Sequence, residues 1–109
     1  MAYVPKRLAQ FQPTTSYVTY YTVPGATSCI VKEIIACNVT GTPVVLDVSL
    51  VASGGTAGVT NNVIAQHSIG AFSTVSYTFA EVLAAAGFIS VKAGTSAALT
   101  MTISGIEFT

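Results

Sequence analysis

One histidine (His67), four carboxylates and two thiols are the strong acid, base and metal-binding groups of this 109-residue chain. Glu33, Asp47, Glu81 and Glu107 stand singly, and general acid-base chemistry needs two such groups to meet around a substrate. No Cys, Asp or Glu stands at a recognisable metal-ligand spacing from His67. None of the serines lies in a G-x-S-x-G elbow. The run Ser53-Gly54-Gly55-Thr56-Ala57-Gly58 is glycine-rich but lacks the lysine of a P-loop, so it reads as a flexible loop rather than a phosphate cradle. Tyr17, Tyr20 and Tyr21 could offer a platform to a sugar or a base. Without neighbouring Lys or Arg the nucleic-acid version is weak, and packing in a core or an interface is the simpler role. The residues therefore predict no catalytic site, no metal and no cofactor.

What must position these groups is a body almost without charge. Only 7% of the residues are charged and 51% are hydrophobic, whereas ordinary soluble domains are about a quarter charged. Leu8 to Val31 and Val48 to Ala80 contain no formal charge. A chain so poor in solvating side chains is best accommodated when copies of itself, or a larger assembly, cover much of its surface. The expectation is a homo-oligomer, a trimer ahead of a dimer. The net charge of zero predicts no nucleic-acid partner and no anionic membrane partner. Ile30 to Cys37 and Val82 to Ile89 are far shorter than the ~18 apolar residues that span a bilayer. The start, MAYVPKRLAQFQP, lacks the apolar core of a signal peptide. Cytoplasmic synthesis is the corresponding expectation.

The pattern along the chain is strand, turn, strand. Residues 1–15 carry Pro5 and Pro13 and no clear period, and read as an extended N-terminal arm before a single domain over 16–109. Tyr3, Val4, Lys6, Arg7, Leu8 and Phe11 are its candidate partner-interface residues: the apolar side chains supply contact and the charges orient it. Strands are predicted at Ser16 to Val23, Ser28 to Cys37, Pro43 to Ala52, Val59 to Ile69, Thr74 to Phe79, Phe88 to Ala93 and Ala97 to Thr109. Pro24-Gly25 predicts a type II turn with Gly25 at positive φ. In the second strand Ile30 and Ile34 fall on one face and Cys29, Val31, Ile35 and Cys37 on the other. In the fourth, Val63, Ala65, His67 and Ile69 share a face. Ala80 to Ala86, closed by Gly87, predicts one short helix. A bulge is expected at Gly105. Cys29 and Cys37 would lie about 26 Å apart at ~3.3 Å per residue, so both should be buried free thiols. The sequon Asn38-Val39-Thr40 should not be glycosylated without a secretion signal. Seven or eight short strands predict an all-β, jelly-roll-like β-sandwich.

The segments Tyr21-Thr22-Val23-Pro24-Gly25 and Cys29 to Thr40 (CIVKEIIACNVT) resemble small virion structural proteins of tailed bacteriophages, in which a YTVP strand leads into a VKxIxxCN strand. The resemblance continues through Leu50 to Gly55, Val82 to Gly87 and Leu99 to Glu107, and spans roughly residues 17–107. Phe88 stands where many of those proteins place an acidic residue. The resemblance implies a non-enzymatic virion subunit: a trimeric capsid cement or decoration protein, a fibre base or a tail-associated subunit. Its partner would be the major capsid protein or another virion protein, and its location the virion, assembled in the bacterial host cytoplasm. The alternative from the residues is a carbohydrate- or receptor-binding sandwich using exposed tyrosines and the Gly54 to Asn62 loop.

Overall fold

The computed structural model describes residues 2–109. They form eight strands: β1 (Tyr3–Phe11), β2 (Val18–Thr22), β3 (Ser28–Asn38), β4 (Val44–Val51), β5 (Asn62–Ile69), β6 (Thr74–Leu83), β7 (Phe88–Ala93) and β8 (Leu99–Phe108). Two four-stranded antiparallel sheets, ordered β1-β8-β3-β6 and β2-β7-β4-β5, face each other as a sandwich. The pairs β1·β8, β2·β7, β3·β6 and β4·β5 alternate between the sheets, as if one long hairpin had been wound around a core. That is the eight-stranded jelly roll.

The core forms because alternate residues of the inner strands are large and apolar. Ile34, Leu46, Ile69, Ile89, Leu99, Met101 and Ile103 are fully buried, and each contributes about 1.5–3 kcal/mol relative to exposure. Two expectations about faces change because bulges reset the alternation. In β3 the extra residue is Lys32, between Val31 opposite Gly105 and Glu33 opposite Ser104. Cys29, Val31, Ile34 and Ala36 therefore face the core, and Ile30, Ile35 and Cys37 lie half-buried on the outer face. In β5 the extra residue falls around Gln66, at φ 49°, so Ile64 and Ile69 are the buried pair. β8 itself stays regular at Gly105; β3 slips between Gly105 and Ser104, and β1 slips at Leu8, between Ser104 and Ile103. A Cβ on Gly105 would meet the Ile30 carbonyl oxygen at 2.3 Å, so the close approach of β3 requires glycine.

The predicted helix is absent. Val82 and Leu83 complete β6 opposite Ile30 and Cys29, and the chain then turns, with Ala86 at φ 65° and a 2.9 Å bond from the Gly87 N–H to the Ala84 carbonyl. Pairing with β3 outweighs the helix propensity of a short alanine run. The turn after β2 is offset by one residue from the expected one: Ala26, not Gly25, holds the positive φ, at 56°. Residues 3–11 do not project as an arm. They form the edge strand β1, paired with β8 from Tyr3 opposite Phe108 to Phe11 opposite Met101.

Candidate functional site

The polar groups that could do chemistry are distributed over four separate clusters. At the β1-β8 end of the sandwich, Glu107 sits between the sheets. Its Oε1 accepts from Lys6 Nζ at 3.1 Å and its Oε2 accepts from the Tyr21 hydroxyl. The Tyr21 bond and, less strongly, Lys6 hold the Glu107 carboxyl below the usual carboxylate range, against a smaller opposing effect of desolvation. Burial and the bond to Glu107 push the Tyr21 hydroxyl far up, and burial raises the neighbouring Cys29 thiol. Tyr21 donates to Glu107, and Cys29 packs in the core with no exposed surface.

Asp47, buried on the outer side of β4, spends both oxygens on the β5 bulge, accepting from Gln66 N–H at 3.0 Å and Gln66 Nε2 at 2.6 Å. Ser49 and Tyr17 both donate to Asn62 Oδ1, at 2.5 and 2.9 Å. His67 and Tyr77 meet edge to face across the open flank between β5 and β6, with ring centroids 5.5 Å apart and His67 Nδ1 bonded to the Tyr77 hydroxyl. Burial raises the Tyr77 hydroxyl. Among the described residues no three of His, Cys, Asp and Glu come together as metal ligands, and no helix is long and apolar enough to cross a membrane.

The tyrosines do not form an exposed platform. Tyr20 stacks on Phe11 at 3.7 Å and 5°, Tyr21 is bonded to Glu107, and Tyr17 lies under Lys92, whose Nζ is 4.8 Å from the ring centre. A groove of about 640 Å³ runs beside the β4-β5 loop, lined by Leu50, Asn61, Asn62, Glu81, Val82 and Ala85 among others. Glu81 is the one ionisable group on its wall. The sequon asparagine, Asn38, is 1% exposed, donates to the Thr42 and Ile69 carbonyls and accepts from Thr40. It is a turn-closing residue with its amide fully used.

The six candidate interface residues separate into two groups. Leu8 and Phe11 pack against the core, and Lys6 pairs with Glu107. Tyr3, at 65%, and Val4, at 49%, are exposed, as is Arg7. The other large exposed apolar side chains include Val59, Phe72 and Val82, with Phe72 carried at φ 52° on the β5-β6 turn. Neither Phe72 nor Val59 stood out in the sequence, because each is a single residue in a loop.

No protein-family model matches the chain, and no curated protein matches it in sequence. Among solved structures it is similar to a protein of Bacillus endospore appendages, described as a family of disulfide-linked pili, with 18% identity and a TM-score of 0.52 over 98% of this chain and 88% of that one. A protein of infectious bursal disease virus, Gx strain, aligns with 17% identity and a TM-score of 0.48 over 97% of this chain and 31% of its own. The likeness to the appendage protein defines a shared all-β sandwich.

Proposed function

We propose that this chain is a non-enzymatic structural subunit that assembles with copies of itself, and that the assembly is a bacteriophage virion in which it serves as a capsid decoration protein or an anchor for another part. One observation carries the reading. The folded body leaves Tyr3, Val59, Phe72 and Val82 between 62% and 88% exposed while only 7% of its residues are charged, a surface that self-association would cover. The family resemblance of Tyr21 to Gly25 and Cys29 to Thr40 supports the virion. The fold shared with an appendage protein supports the structural, non-enzymatic part of the reading and not the virion. The carbohydrate-binding alternative loses its aromatic platform, since all three tyrosines are engaged internally.

Imaging of particles from a host expressing the chain, at a resolution that traces strands, tests the proposal. The expected result is an eight-stranded body repeated at symmetry-related positions of the particle. Particles complete in every density without it would overturn the virion assignment.

A further inference from the structure

The outer face of the β1-β8-β3-β6 sheet carries a pattern that the fold does not itself require. Across the strands, Pro5, Ile106, Ile30 and Val82 lie side by side in register, an apolar row from edge to edge on the side away from the core. One row nearer the chain ends, the rings of Tyr3 and Phe108 meet with centroids 5.6 Å apart. On the other side of the apolar row come Arg7, Ser104, Glu33 and Thr78. Arg7 and Glu33 flank β8 by one strand each, so they stand about 9–10 Å apart at ordinary strand spacing. They form no salt bridge with each other: Arg7 donates to Gln10 at 3.3 Å, and Glu33 accepts from Ser76 at 2.9 Å.

With β8 as its midline the face is self-complementary. A two-fold axis along β8, in the plane of contact, turns a second copy so that its β3 lies over the first copy's β1. Arg7 of each copy then stands over Glu33 of the other, Pro5 over Ile30, and Ile106 over Ile106. We infer that this face is the surface through which two copies of the chain meet, as an isologous contact centred on β8. The inference rests on the self-associating reading above and specifies its surface. A second copy uses both charges twice, whereas an unrelated partner has no reason to find opposite charges in one row at equal distances from the midline. The rest of the face carries the small uncharged Thr100, Thr102, Ser76 and Thr78, with Gln10 bonded to Thr102, the half-buried Ile35 and Cys37 of β3, and Lys32 exposed at the β3 bulge beside Glu33.

The test is sedimentation velocity of the full chain over a dilution series, with thermal melts confirming that each variant is folded. Arg7→Glu and Glu33→Arg singly place like charges opposite each other at both symmetric sites, and each should weaken the two-copy contact at least about tenfold. The double exchange, R7E with E33R, should return it to near the wild-type value, which general loss of stability cannot do. Ile106→Arg should abolish the contact, and Thr60→Ala, in the β4-β5 loop, should leave it unchanged. If wild type associates but the single exchanges have no effect, or the double exchange gives no recovery, this face is not the contact and the self-associating reading stands without it. A wild-type chain that is monomeric throughout removes both.

Discussion

Gly105→Ala is a sharp probe of the way this jelly roll is held together. Glycine is needed there because a Cβ would sit 2.3 Å from the Ile30 carbonyl oxygen and 3.1 Å from Leu8 Cδ1, well inside the 3.0 Å below which real Cβ atoms are essentially never found in the first case. Overpacking of a core commonly costs about 1–3 kcal/mol. Here the opposed atom is backbone, so β3 must move at the point where it bulges, and the expected loss is about 2–4 kcal/mol. A domain of this size loses roughly 4–8 °C of melting temperature per kcal/mol, which places the fall at roughly 8–32 °C. Urea and thermal unfolding followed by circular dichroism measure it. Gly25→Ala is the internal control: nothing lies within 4 Å of its added Cβ, and its melting temperature should match or slightly exceed wild type. Gly105→Ala melting with the wild type would refute the close approach of β3 to β8.

Other expected outcomes follow from the same packing. Deleting residues 2–11 removes an entire edge strand together with Leu8 and Phe11, so the remainder should lose cooperative unfolding in denaturant; an unchanged transition would return these residues to the status of a free arm. Ala26→Gly and Ala86→Gly relieve left-handed alanines at φ 56° and 65°, and each should raise stability by about 0.5–1 kcal/mol in urea titrations. Because the Glu107 carboxyl is held below its ordinary range, its contribution is complete above the unfolded carboxylate pKa and is lost as pH falls through the lower folded value. Glu107→Gln should therefore cost about 1–2 kcal/mol at neutral pH and flatten the acid limb of a stability-against-pH curve. In native protein a thiol reagent should label half-buried Cys37 first and reach Cys29 only on unfolding; equal rates would contradict the assigned faces of β3.

Seven of the eight strands were legible because period-two alternation is a local property, clear in Val44, Leu46 and Val48 and in Val75, Tyr77 and Phe79. β1 was not. Pro5, Lys6 and Arg7 look like a solvated tail, and the strand exists only through partners about a hundred residues away, such as Phe108 opposite Tyr3. The alanine run after Phe79 illustrates the same limit, since its conformation is decided by Cys29 and Ile30 across the sheet. Single-residue bulges at Lys32 and around Gln66 leave no mark in composition, yet they decide which side of β3 meets the core and which side Ile35 and Cys37 present outward. The four carboxylates stand singly in the sequence. Their uses, Asp47 on the Gln66 bulge and Glu107 between Lys6 and Tyr21, became visible only with the fold. Nor could the opposed Arg7 and Glu33 have been read from spacing, because their relation is set by β8 between them.

The proposed function requires this nearly uncharged sandwich to cover its surface with copies of itself. Light scattering coupled to size-exclusion chromatography, on the full chain from high to low concentration, tests it most directly. Self-association gives a mass above that of one 11.2 kDa chain that falls towards it on dilution. A single species of one-chain mass at every concentration would contradict it.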